Sequence, residues 1–323
     1  MAVPSRARRL AITAIVAVTL SASTLTRRFP WAQTGSSRFD EIVFESYRRA
    51  EPLTNWPLKK LLHEIPDLKG LEPAADQSPL PGILTRVSAN VEALLANFMN
   101  TTALETIEET RTRNYPADQD SVVQRFRYLM LLKQWDSANH LVEYRTDLHG
   151  REERTDPLAQ GFVKTVGFAS MPLYLGSERQ PLSDFRYLGS QIVGGHRLEV
   201  LAFAEHPEPS AARSFIALPG GIIPAILQGV AWIDSGNYEV VRMRTDLLAP
   251  LLTIRLGRET TEVRFKEVTF PKAPAPLWLP EEVDVTVGLE GLTYMNRHHY
   301  SDYEVFNVST DQQIGAPKAA ARP

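Results

Sequence analysis

The residues to weigh first for chemistry are seven histidines, at positions 63, 140, 149, 196, 206, 298 and 299. None falls in the His-x-x-x-His or His-Glu-x-x-His spacing that sets two imidazoles around zinc on one helical face. His298 and His299 form a cluster within Tyr294 to Tyr300, and neighbours on a strand point to opposite faces, so the pair cannot chelate one ion together. His299 with Asp302 or Glu304 is the remaining metal arrangement, set against a surface or packed histidine. Carboxylates group as Glu105, Glu108 and Glu109, as Glu152, Glu153 and Asp156, and as Glu281 with Glu282. Glycosidic acid–base work needs two of them to converge in space, and a solvated face is the default for each group.

Nucleophile and phosphate signatures do not fill the gap. No Gly-x-Ser-x-Gly elbow is present, and Leu218-Pro219-Gly220-Gly221 reads as a loop between strands. Neither Gly-x-x-x-x-Gly-Lys nor Gly-x-Gly-x-x-Gly occurs. The absence of cysteine removes disulfides, thiolate zinc sites and cysteine nucleophiles. The expectation is therefore a protein that is not an enzyme, with no catalytic residue, no metal ligand and no cofactor assigned. The alternatives are an exported hydrolase using dispersed Asp/Glu with His298 or His299, or a structural module that meets a protein partner.

The elements that would carry a binding face are clearer. Leu84, Val87, Val91, Leu94, Leu95 and Phe98 recur at helical spacing and predict one amphipathic helix over about 80–99, with Pro81 suited to its first turn. From about residue 102 the period changes to two. Phe126 to Leu132 with Leu141 to Thr146 predict a hairpin. Leu188 to Ile192 and Leu198 to Phe203 predict a second, around Gly194-Gly195, and Val230 to Asp234 with Tyr238 to Arg242 a third, around Ser235-Gly236-Asn237. Thr261 to Phe265, Val283 to Leu289 and Thr293 to Val305 complete the set, with the proline-rich Pro271 to Pro276 as a connection. About nine to eleven antiparallel strands with one apolar face, preceded by one long helix, predict an α+β fold: a strongly curved, unclosed sheet, a β half-barrel, packed on that helix.

The chain has 323 residues, 43% of them hydrophobic, so it is long enough for a large core. Arg6, Arg8 and Arg9 precede an apolar or small run from Leu10 to Leu25 and then Arg27-Arg28, the order of a secretory signal. The run is shorter than the roughly 20 residues that span a bilayer, and an uncleaved signal anchor stays open as the second reading. Lys and Arg number 35 against 38 Asp and Glu; removal of residues 1–33 takes five arginines and no acid, which leaves a mature chain at −8. That balance argues against a nucleic-acid partner and against direct binding to anionic membranes, so membrane contact is confined to the N-terminal segment if it stays uncleaved. The organisation expected is a signal peptide or anchor at 1–33, a loosely attached helical or irregular arm and linker at 34–78, the curved-sheet domain at 79–308 and a disordered tail at 309–323.

Gly229-Val230-Ala231-Trp232-Ile233-Asp234, its Ser235-Gly236-Asn237 turn and the return strand Tyr238 to Arg242 resemble a hairpin of the LolA/LolB-like superfamily of outer-membrane lipoprotein-sorting proteins. Leu277-Trp278-Leu279-Pro280 leading into Val283 to Val287, and Tyr300-Ser301-Asp302-Tyr303, are similar to the closing strands of that group. In order of elements the resemblance covers roughly residues 83–308. It implies a half-barrel with a helix as lid, and a protein of a Gram-negative periplasm or cell envelope that carries or senses acyl chains. The chain departs from the carriers in its length, its 34–78 arm and its long 146–184 connection. No catalytic residue carries over, because the group is not known for catalysis. The expected ligand is a lipid or other apolar molecule on the concave face, touched by Leu84, Val87, Val91, Trp232 and Trp278.

Overall fold

The computed structural model describes residues 15–18, 37–114, 117–135, 138–151, 164–209, 212, 214–218, 221–271 and 273–306. Most of the expected export segment, the Glu152, Glu153 and Asp156 group and the tail at 309–323 lie outside them. The helices are α1 (Ser37–Arg48), α2 (Leu58–Glu64) and α3 (Leu80–Asn97). The strands are β1 (Ile15–Val18), β2 (Glu72–Pro73), β3 (Thr101–Asn114), β4 (Ala117–Trp135), β5 (Ala138–Thr146), β6 (Lys164–Val166), β7 (Ser183–Val193) and β8 (His196–Glu205). They continue as β9 (Ser214–Leu218), β10 (Gly221–Ala225), β11 (Leu227–Asp234), β12 (Val240–Leu247), β13 (Leu256–Val268), β14 (Leu277–Leu289) and β15 (Leu292–Val305).

Eleven of these strands make one sheet in the order β2-β7-β8-β11-β12-β13-β14-β15-β3-β4-β5. Hairpins join β3 through β5, β7 to β8 and β11 through β15, β8 pairs antiparallel with β11 across the intervening β9 and β10, and the last strand, β15, closes against β3 along its length. β2 and β5 are the two edges and do not pair with each other, so the half-barrel stays unclosed. A smaller sheet in the order β10-β9-β1-β6 lies beside it, with β1 parallel to β6 and antiparallel to β9. Among the described residues no helix is long and apolar enough to cross a membrane.

Turn chemistry explains the hairpins. Gly194 and Gly195 adopt φ of +57° and +85° between β7 and β8, a left-handed pair that side chains rarely accept. Between β11 and β12 the Asp234 carboxylate accepts from the amides of Gly236 at 2.8 Å and Asn237 at 3.1 Å, which fixes the reversal.

Alternation along each strand separates two cores. On the concave face Met243, Val263, Val283, Val285 and Val287 meet Ile83, Val87 and Val91 of α3, Val43, Phe44 and Tyr47 of α1, and the segment Phe168–Leu175. On the convex face Leu188, Leu198, Val200, Val230 and Trp232 pack under Leu53, Leu61, Ile65 and Leu68. The 34–78 arm, expected to be loosely attached, is thus docked on both faces over its described part. It carried too few apolar residues in regular order to show that in the sequence, because α1 and α2 are short and each buries one narrow stripe.

Candidate functional site

α3 begins with Pro81 in its first turn and ends at Asn97, two residues short of the expected 99. Its inward stripe is Ile83, Val87 and Val91; Leu84, Leu94 and Leu95 flank it and are half-buried. Two polar ties hold the helix to the β11–β12 turn. The Arg86 guanidinium donates to the Tyr238 hydroxyl at 2.6 Å, and the Asn90 amide donates to the Asn237 carbonyl at 2.8 Å.

Beside those ties the helix leaves a cleft of about 80 Å³ against the sheet. Val87, Val91 and Leu94 form one wall, Val240, Leu277 and Trp278 the other, and Asn90, Asn97 and Glu239 give the rim its polarity. Burial beside Glu267 pushes the Glu239 carboxyl up to about 7. Mostly apolar walls with a few polar groups are the make-up of a small-molecule site, though sites for whole ligands run to roughly 300–1,000 Å³.

Deeper in the concave face lies a sealed polar cluster that the sequence reading missed. Glu105 on β3 accepts from the Arg145 Nη2 at 2.7 Å, the His298 Nδ1 at 2.9 Å and the Tyr300 hydroxyl at 2.6 Å. Burial alone would raise the Glu105 carboxyl, but the charge of Arg145 and the His298 hydrogen bond outweigh it and hold it at about 2. Burial likewise lowers His298, so its Nδ1–H faces an ionised carboxylate while the ring stays neutral. The Phe168 ring lies 5.0 Å from the His298 ring and covers it. A carboxylate-oriented imidazole is the geometry of a general base, yet His298 and Glu105 are wholly buried, and what the cluster does is join β3, β5 and β15.

Next to it, Glu143 on β5 accepts from the Tyr128 hydroxyl at 2.7 Å and from the backbone amides of Ala169 at 2.9 Å and Ser170 at 3.0 Å. This carboxylate fastens the Phe168–Leu175 segment inside the half-barrel.

Of the expected ligand residues, Val87, Val91 and Trp278 meet in the α3 cleft. Leu84 packs at the margin of the concave core. Trp232 does not join them: it sits on the convex face, where its indole donates to Gln191 Oε1 at 2.7 Å and the Arg242 guanidinium lies 4.7 Å from its ring. The reason is register, since a one-residue step along β11 moves a side chain to the other face.

His298 and His299 do face opposite sides of β15, the first buried and the second exposed. The expectation of a solvated Glu105, Glu108 and Glu109 face needs correction, because period two buries Glu105 and Glu109 and exposes only Glu108. The pattern Ala103, Glu105, Ile107, Glu109 on β3 was the available signal for an interior polar site.

No family model and no curated protein matches the sequence. The chain is similar to a solved outer membrane lipoprotein-sorting protein domain from Vibrio parahaemolyticus, at 12% identity and a TM-score of 0.37, over 73% of this chain and 94% of that one. It is similar to a LolA superfamily protein from Nitrosomonas europaea at 12% identity and a TM-score of 0.29, over 71% and 94% of the two chains. A DUF1329 family protein from Desulfovibrio piger is similar at 8% identity and a TM-score of 0.32, over 72% and 95%. With likenesses this partial, the half-barrel is defined by its own strand order and register.

Proposed function

We propose that this is an exported, non-enzymatic protein of the bacterial cell envelope that holds a lipid or other apolar ligand between α3 and the concave face of its sheet. The observation that carries the proposal is the α3 cleft, where a helix tied by its polar flank to one hairpin leaves apolar walls of Val87, Val91, Leu277 and Trp278 apart. At about 80 Å³ the cleft admits the end of an aliphatic chain, and a longer ligand requires α3 to swing outward about the Tyr238 and Asn237 ties. The basic-then-apolar N-terminal segment supports export.

A titration of the full chain with a brominated fatty acid tests this reading. Bromine quenches nearby indole, so the proposal expects saturable quenching that Trp278→Phe removes and Trp232→Phe retains. Quenching that is absent, or that survives Trp278→Phe unchanged, contradicts it.

A further inference from the structure

On the convex side of the sheet a groove of about 620 Å³ runs across β3, β4 and β5. Register places its floor on one face. Glu304 of β15 is opposite Thr102 of β3, Thr102 opposite Leu129 of β4, Leu129 opposite Tyr144 of β5, and Arg127 opposite Thr146. Their chain neighbours Ala103, Tyr128, Met130 and Arg145 turn to the concave side instead. Lys133, Gly150 and Phe306 complete the lining.

The groove is basic, although the chain as a whole carries more acid than base. Arg127 is exposed, donates from Nε to the Leu148 carbonyl at 3.4 Å, and has no acidic partner among the described residues. Lys133 is exposed and has no hydrogen-bond or ion-pair partner among the described residues. The one acid in the lining, Glu304, belongs to β15, which β3 and β4 separate from β5. Asp147, next after β5, is occupied by the amides of His149 at 2.9 Å and Arg151 at 2.8 Å.

Beside the groove the sheet has an open edge. Of its two edges, β2 is two residues long and contains Pro73, which blunts it against pairing. β5 has nine residues, with no proline and no lysine. It pairs with β4 on one side and with no other strand among the described residues. Its charged residues do not bar a neighbour, because Glu143 is held by the Tyr128 hydroxyl and Arg145 by Glu105 on the concave side.

We infer that β5 and the groove beside it form a docking site for an acidic, extended segment of a partner protein, which joins the sheet as one more strand. Main-chain pairing with β5 supplies affinity, and the two cations select acids. Arg127 and Lys133 stand six residues apart, opposite Thr146 and His140 of β5; at 3.3 Å per residue that is about 20 Å. Six is even, so two acids at that spacing in the added strand face the same convex side as the cations. The added strand lies about 10 Å from β4, two strand spacings, within the joint reach of Arg or Lys and Glu. A glycan has no row of amides to pair with β5, so the open edge favours a peptide. The site shares no residue with the α3 cleft and does not depend on lipid binding.

Fluorescence anisotropy of the full chain with a labelled nonapeptide, Thr-Glu-Val-Thr-Val-Thr-Val-Glu-Thr, tests the inference. The result expected is one peptide per chain, bound at least tenfold more tightly than the same peptide with Gln for both Glu, and more weakly as salt rises. Arg127→Glu and Lys133→Glu, both at exposed positions, each weaken binding at least tenfold, and the double variant prefers the peptide with Lys for both Glu. Proline at the fourth and fifth peptide positions removes an amide that faces β5 in either register, and weakens binding at least tenfold. Brominated-acid quenching of Trp278 is unchanged in these variants.

Equal binding of the Gln peptide, or binding unaffected by Arg127→Glu and Lys133→Glu, overturns the inference. So does an oligogalacturonate that binds as tightly as the peptide, which gives the groove to an anionic glycan. Absence of peptide binding overturns it as well, and in a chain that elutes as a dimer assigns the edge to a second copy.

Discussion

Arg145 and Glu105 meet fully buried inside the half-barrel, two strands apart in the sheet, with guanidinium and carboxylate in a forked contact. Loss of one partner strands the other charge in the core, which costs about 3–5 kcal/mol. Arg145→Met is expected to lower the urea midpoint sharply, and Arg145→Met combined with Glu105→Met to recover part of the loss. A double variant no better than the single one would show that the pair is not what sets the cost.

The same cluster makes the fold acid-sensitive. Glu105 is held at about 2 against an ordinary 4.5, so its contribution is complete above 4.5 and is lost as pH falls toward 2. His298 is lowered by burial from an ordinary 6.5, so the unfolded chain binds its proton first and stability falls as pH drops below 6.5. Below pH 4.5 the urea unfolding free energy should fall as Glu105 is protonated; between pH 7 and 4.5 the raised Glu239 carboxyl works in the opposite direction, so the His298 contribution is read as a difference, His298→Phe losing less stability than the parent chain between pH 6.5 and pH 5.

Gly229 opens the Gly-x-x-Trp-Ile-Asp strand because nothing larger fits there. A Cβ on it would lie 1.9 Å from the Arg244 carbonyl of β12 and 2.9 Å from the Phe203 ring. Gly229→Ala must push β11 off β12, and the expected outcome is loss of soluble folded protein, read by circular dichroism and gel filtration. A native-like Gly229→Ala would refute this packing.

Trp232 clamps the arm rather than the ligand. Its indole donates to Gln191, whose amide donates at 2.8 Å to the carbonyls of Asp67 and of Lys69. Trp232→Phe leaves Gln191 Oε1 unpaired and should cost about 1–3 kcal/mol. Proteolysis between residues 49 and 78 should accelerate, with ligand affinity unchanged; an affinity loss would put Trp232 in the site after all.

Glu143 fastens the Phe168–Leu175 segment through the Ala169 and Ser170 amides. In Glu143→Ala those amides lose their acceptor, and hydrogen exchange over residues 167–175 should rise at least tenfold while β13–β15 stay protected. Uniform exchange across both regions would mean that the segment opens only with the whole fold.

Much of this architecture was legible in the residues, and the reasons divide by length scale. Glycine pairs and period-two alternation are local, so the β7–β8 and β11–β12 hairpins and the helix at Leu80–Asn97 follow from short windows. Which face a strand turns inward is set by partners far away in the chain. Trp232 and Trp278 look alike in sequence, but one lies under the arm and the other under α3. Glu105 reads as surface until Arg145, 40 residues later, is brought beside it. Glu239, at the rim of the α3 cleft, carries no motif at all, because a cleft is a property of what surrounds it.

Native mass spectrometry of the gently purified chain, before and after delipidation and rebinding, tests the central claim most directly. The account predicts one acyl-bearing species per chain, removed by delipidation, restored by added fatty acid and lost in Val91→Trp, which fills the cleft under α3. A chain that carries no acyl species and rebinds none would contradict it.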